Sequence, residues 1–131
     1  MSSEKIIINT SKAPEAIGPY NQAILAGGFL YISGQIPLDP QTMKLVSEDV
    51  KDQTHQVFKN LKSILEKADY SWEDVVKASV FIKNMDDFGS INEVYSEYFT
   101  KNQPARECVE VARLPKDVQV EISLIAWKDR K

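Results

Sequence analysis

The sequence predicts an α+β fold: an open β-sheet with two amphipathic helices packed on one face. Three observations predict it. Two stretches, 47–68 and 87–100, carry apolar residues at three- and four-residue spacing. Two others, 75–83 and 118–127, alternate apolar and polar residues with the period of a strand. Two short apolar runs flank Gly27-Gly28, a strong hairpin signal. The order is β, β-β, α, β, α, β-β. Each helix has one stripe, so the pair covers one side of the sheet. A chain of 131 residues suits one domain with one core, spanning 1–131.

Taken in order, Lys5 to Asn9 holds three consecutive isoleucines and reads as a short buried strand. Thr10 to Tyr20 is a loop stiffened by Pro14 and Pro19. Gln22 to Ala26 and Phe29 to Ser33 are the hairpin strands, with Gly34 ending the second. Asp39-Pro40-Gln41-Thr42 suits a type I turn. Ser47 or Glu48 opens the first helix, whose stripe is Val50, Thr54, Val57, Phe58, Leu61, Ile64, Leu65 and Ala68. The next strand buries Val76, Ala78, Val80 and Ile82. Asp86 or Asp87 caps the second helix, with Phe88, Ile91, Tyr95, Tyr98 and Phe99 inward. Residues 106–112 alternate as a strand that packs Val109 and Val111 into the core and turns Arg106 and Cys108 the other way. Lys116-Asp117 turns the chain into a last strand with Val118, Val120, Ile122, Leu124 and Ala126 inward. The charged tail from Lys128 reads as frayed. Phe81, Ile125 and Trp127 fall on the side the helices leave open, which points to a subunit interface.

Composition narrows the function. The net charge is −3, which argues against a general polyanion-binding surface and against nucleic acid as a partner. One cysteine and one histidine can make neither an internal disulfide nor a Cys/His metal cluster, so no metal site is expected. His55 falls just off the first helix's stripe and reads as exposed and inert. No apolar run reaches membrane-spanning length and no targeting segment is visible at the N-terminus, so a cytoplasmic location is expected.

Arg106 is the side chain with the most specific chemistry. A guanidinium on a strand is held with little freedom, and its planar fork matches a carboxylate through two parallel bonds. On alternation alone, an edge-strand arginine in a solvated ion pair is the better explanation.

Five stretches together resemble one family. They are Ile17-Gly18-Pro19-Tyr20-Asn21-Gln22-Ala23, Ile32-Ser33-Gly34-Gln35-Ile36-Pro37, the Asp87-Phe88…Asn92…Tyr95 helix, Pro104-Ala105-Arg106 with Cys108 to Lys116, and Glu121-Ile122 with Ile125-Ala126. Each is similar to a motif of the RidA/YjgF family, the reactive-intermediate deaminases, and they fall in register from about residue 6 to 127. The resemblance implies a chorismate-mutase-like fold assembled as a homotrimer through the open sheet face, with active sites between subunits. It implies hydrolysis of 2-imino acids (2-iminobutanoate, 2-iminopropanoate) to 2-keto acids and ammonia, without a cofactor.

On that resemblance Arg106 binds the substrate carboxylate and Glu121 positions or activates water. Tyr20, Ser33, Gly34, Asn92 and Cys108 complete the substrate contacts. Read alone, these residues are blander: a turn tyrosine, a strand-end serine, a helix-surface amide, a carboxylate paired with lysine. Cys108 has no histidine partner in view and reads as a wall of the site, not a nucleophile. Four positions depart from the family pattern: Gln103 for an aromatic, Met43 for a turn glycine, Asn21 for serine and Ser123 for a second acid. They bear on substrate preference more than on reaction class. Two other readings stay open. One is a translation inhibitor or endoribonuclease; the other is a ligand-binding or chaperone-like module that uses the same cleft without turnover.

Overall fold

The computed structural model describes residues 4–130. Six strands form one sheet in the order β1-β2-β3-β6-β4-β5, with two helices on one side. The strands are β1 (Ile6–Ile8), β2 (Ala23–Ala26), β3 (Phe29–Gln35), β4 (Val75–Ile82), β5 (Ala105–Glu110) and β6 (Val120–Trp127). The helices are α1 (Val50–Lys67) and α2 (Phe88–Tyr98). All pairings are antiparallel except β4 with β5, which are joined through α2. This is the α+β arrangement the patterning predicts.

Local chemistry sets the boundaries. Gly27 and Gly28 both take positive φ, 57° and 86°, and close the β2–β3 hairpin in two residues. A Cβ at Gly28 would also stand 2.7 Å from the Lys128 carbonyl oxygen. Asp49, not Ser47 or Glu48, caps α1: its carboxylate accepts from Asp52 N at 3.0 Å, so the helix starts two residues later than its composition suggests. Ahead of α2, Asn84 accepts from Asp86 N and caps a 3₁₀ turn at 85–87, and Asp87 makes no side-chain cap bond. Met43, where the resemblance expects glycine, sits at φ 61° in the turn that the Asp39 carboxylate organises through Gln41 N and Thr42 N. A methionine there holds a conformation that L-residues resist by ~1–2 kcal/mol.

The core lies between the sheet and the helices. Val57, Phe58, Leu61, Ile64 and Leu65 of α1 meet Leu30, Ile32, Ala78, Val80, Ile122 and Leu124. At the α1–α2 seam Phe58 stacks on Tyr98, 4.4 Å between centroids and 5° from parallel, with Trp72, Tyr95 and Phe99 around it. Truncating Phe58 to alanine would cost about 3–5 kcal/mol, the usual range for a buried aromatic. His55 joins this seam, half-buried, with Nδ1 3.0 Å from the Tyr98 hydroxyl. It is a packed and hydrogen-bonded residue rather than an exposed one.

Several expectations about faces are corrected. Val109 is 42% exposed on the side away from the helices, whereas Cys108 packs toward the core. The reason is register: β5 pairs Ala78 with Arg106 and Val80 with Cys108, so Arg106 and Cys108 share the helix-covered face. Val111 lies past the end of β5 and is half-buried. In β4 the pairing with β6 shifts between Val75 and Lys77, a bulge that buries Val75 and exposes Val76. β1 is an edge strand, and Ile6 and Ile7 are exposed, not buried. β3 runs through Gly34 to Gln35, because a second irregularity between Ile32 and Gln35 lets the strand continue. β6 begins at Val120, and Val118 is buried in the turn before it.

The tail is not frayed at 128–130. Lys128 Nζ donates to the Asp69 carbonyl and Arg130 to the Ala68 carbonyl, and both cations sit over the Tyr70 ring. Cations on the last carbonyls of a helix are favourable to its dipole. Among the described residues, no helix is long and apolar enough to cross a membrane. The open face carries Phe81 and Ile125, half-buried, and Trp127, exposed, joined by Phe29, Tyr31 and Val109.

Candidate active site

The predicted site residues fall into two groups on opposite faces of the sheet. The first stands where β5 meets α2. The parallel register turns Arg106 toward the helices, and α2 presents Asn92 one turn from Phe88 and Tyr95. Arg106 Nη1 donates to Asn92 Oδ1 at 2.7 Å. The guanidinium lies over the Tyr95 ring at 4.7 Å and near the Phe88 ring at 5.5 Å. Hydrogen bond and ring contacts together hold the fork at the sheet edge and leave other donors free. Cys108 lies two residues on, half-buried. Burial pushes its thiol pKa up against the opposing pull of Arg106, so the sulfur stays protonated near neutrality. That favours a wall over a nucleophile.

The second group gathers where β3 meets β6. The β3 irregularity lets Ser33 and Gly34 together oppose Ser123. Glu121 pairs with Phe81 and shares its open face. Its carboxylate packs on the bare α-carbon of Gly34: a Cβ there would lie 2.3 Å from Glu121 Oε2. Burial raises the Glu121 pKa above the usual carboxylate range. Among the described residues it has no hydrogen-bond or ion-pair partner, which suits an acid–base group more than a structural one. Ser33 Oγ donates to the Asn21 carbonyl at 2.7 Å, so its hydroxyl proton is engaged and its lone pairs remain to accept. Tyr20 stands half-exposed on the adjoining loop and shares a small cavity wall with Gly34, Gln35 and Met43.

Patterning missed the supports of both groups. Tyr95 and Phe88 read as core stripe, yet their rings carry the guanidinium. Gln22 is buried, and its amide donates to the carbonyls of Thr10, Ala13 and Pro14 while accepting from Thr10 N. It staples the 10–20 loop that bears Tyr20. The available signal was a glutamine at the buried start of a strand, where only a fully bonded amide is tolerated. Among the described residues, no group of three His, Cys, Asp or Glu side chains stands close enough to hold a metal.

One chain does not bring Arg106 and Glu121 together. β4 lies between their strands, so strand spacing alone separates them by about 10 Å, and they face opposite ways.

Comparison with known proteins decides the family. The family model described as endoribonuclease L-PSP matches residues 10–128. The chain belongs to the RidA/RutC (L-PSP) family. Within it, the chain is 58% identical over 125 residues to a RutC family protein of Pyrococcus horikoshii, covering 95% of this chain and 99% of that one. It is 49% identical over 122 residues to the 2-iminobutanoate/2-iminopropanoate deaminase of Salmonella typhimurium, covering 91% and 94%. Among solved structures it resembles E. coli TdcF with bound serine, with TM-score 0.90 and 46% identity over 95% of this chain and 99% of that chain. The RidA structure from the Antarctic bacterium Psychrobacter sp. gives TM-score 0.90 and 46% identity, with coverage of 94% and 99%. The L-PSP fold is therefore the setting for both groups of residues.

Proposed function

We propose that this chain hydrolyses 2-imino acids, including 2-iminobutanoate and 2-iminopropanoate, to 2-keto acids and ammonia. The site is completed by a second copy of the chain within a homotrimer. The observation that carries the reading is the division just described: a carboxylate-binding fork on one face and a desolvated, unpartnered carboxyl on the other. A substrate that needs both can reach them only where the face of one chain meets the edge of another. The apolar open face is suited to that contact. The deaminase name of the Salmonella relative and the amino acid bound in E. coli TdcF support the substrate class.

In this reading Arg106 takes the substrate carboxylate in two parallel hydrogen bonds, while Asn92 and the Tyr95 ring hold the fork still. Glu121 of the other copy accepts a proton from water as the water oxygen bonds to C2. The C=N π pair moves to nitrogen, which takes that proton from Glu121, giving a carbinolamine. Glu121 then takes the carbinolamine hydroxyl proton as C=O forms and passes it to the departing nitrogen, so the C–N bond breaks and ammonia leaves. A carboxyl whose pKa is raised toward working pH is suited to both transfers. Cys108 lines the pocket as a neutral thiol. The protein acts in the cytoplasm, where dehydratases release such imines.

The test couples threonine dehydratase to semicarbazide, which traps 2-iminobutanoate. The native chain should suppress semicarbazone formation. Arg106→Ala should lose about a hundredfold in kcat/KM, equivalent to ~3 kcal/mol of transition-state stabilisation. No suppression by the native protein would overturn the reading and leave a binding module. Light scattering gives the assembly: a mass near three chains is expected, and a monomer mass would remove the shared site. RNA cleavage that survives Arg106→Ala would favour the endoribonuclease activity in the family model's name.

A further inference from the structure

Beside Arg106 runs an open groove of about 460 Å³, bounded by Asn92, Tyr95, Ser96, Phe99, Gln103 and Pro104. It is within the size range of small-molecule sites. The seven non-hydrogen atoms of 2-iminobutanoate, at no more than about 30 Å³ each, fill less than half of it. The groove therefore accommodates a longer side chain than ethyl. Its walls are of two kinds. Tyr95, Phe99 and Pro104 are apolar, whereas Ser96 and Gln103 are polar.

Gln103 Nε2 donates to the Phe99 carbonyl at 3.3 Å, which orients the amide and leaves its second N–H and Oε1 for a ligand. Ser96 Oγ donates its one hydrogen to the Glu93 carbonyl at 2.7 Å, so toward a ligand this hydroxyl can only accept. A groove that offers a carboxylate-binding fork at one end, with two acceptors and an amide donor along its wall, selects a ligand whose side chain hydrogen-bonds through an amide or hydroxyl. Resting on the imine-hydrolase reading, we infer that Gln103 is a specificity-determining residue. It steers the enzyme toward 2-imino acids whose side chains carry an amide or hydroxyl, over apolar side chains of the same shape.

The experiment uses an isosteric pair made in situ by an L-amino-acid oxidase: the 2-imino acids of asparagine and leucine. The readout is the ratio of their kcat/KM values by semicarbazide trapping. The native chain should favour the asparagine-derived substrate about fivefold, as one neutral hydrogen bond at an exposed wall gives. Gln103→Leu should bring the ratio to about one or below. A native preference for the leucine-derived substrate, or an unchanged ratio in Gln103→Leu, overturns the assignment. Turnover of 2-iminobutanoate by the native chain is measured alongside. If it is absent, the deaminase reading fails, and the ratio of Kd values for the two corresponding 2-keto acids decides on Gln103 by the same criterion.

Discussion

Arg106 and Glu121 are both charged side chains on strands of one sheet, yet different forces fix them. Arg106 is exposed at the edge and is held by partners: an amide at 2.7 Å and an aromatic ring beneath. Glu121 is half-buried in the middle of the sheet with no partner among the described residues, and packs against Gly34. The first is prepared to bind a full negative charge. The second sits where burial favours the protonated carboxyl over the charged one. Carboxylate recognition and proton transfer need those opposite environments, and the sheet supplies them by placing one residue on an edge strand and the other on a central one.

Three changes would break or sharpen the contrast. The largest effect is expected from Gly34→Ala. Its Cβ would occupy the space of the Glu121 carboxylate, which must swing away. Turnover should fall about a hundredfold, as for loss of a positioned acid–base group, whereas stability should change by less than ~1 kcal/mol because only the end of a flexible side chain moves. Steady-state kinetics beside thermal melting separates the two; equal losses in both would contradict it.

Asn92→Ala is the next largest. It releases the guanidinium but keeps the ring beneath it. We expect roughly a tenfold fall in kcat/KM, carried by KM, as one charge-assisted bond gives when it acts in binding. A fall confined to kcat would assign Asn92 to the chemistry instead.

The smallest effect concerns pH. The raised pKa of Glu121 means that the folded chain holds this proton more tightly than the unfolded one. The associated stability is present in full below the ordinary carboxylate value, about 4.3, and is lost as pH rises through the raised value. Glu121→Gln, which mimics the protonated form, should therefore melt above the native chain at neutral pH and close to it in acid. A gap that widens toward acid would reverse the sign and refute desolvation as the cause.

Much of the architecture was legible in the sequence, for reasons particular elements make plain. The α1 stripe and the Gly27-Gly28 turn report directly on burial and on positive φ, so both were found. Alternation in 106–112 revealed that Arg106 and Cys108 share a face but not which face. Only the pairing of Ala78 with Arg106 decides that, and pairing partners lie far apart in the chain. The bulge between Val75 and Lys77 defeated the assignment of Val76, because one extra residue flips the face of the residues before it while Ala78, Val80 and Ile82 keep theirs. The resemblance named both Asn92 and Arg106 but not their bond. It named Gly34 and Glu121 but not that one makes room for the other. Such contacts follow from register and close approach, which no local period encodes.

The two halves also differ in how far along the chain their parts are drawn. Asn92 and Arg106 are 14 residues apart, joined through α2 and the single parallel crossover. Gly34 and Glu121 come from opposite ends of the sequence and meet only once β3 and β6 have paired. Closing the short loop costs little entropy and closing the long one costs more. During folding, therefore, the arginine half can assemble early from a local segment, and the glutamate half waits for the centre of the sheet. On the proposed reading, catalytic competence is then a late product of folding, and a partly folded chain would hold a carboxylate before it could act on one.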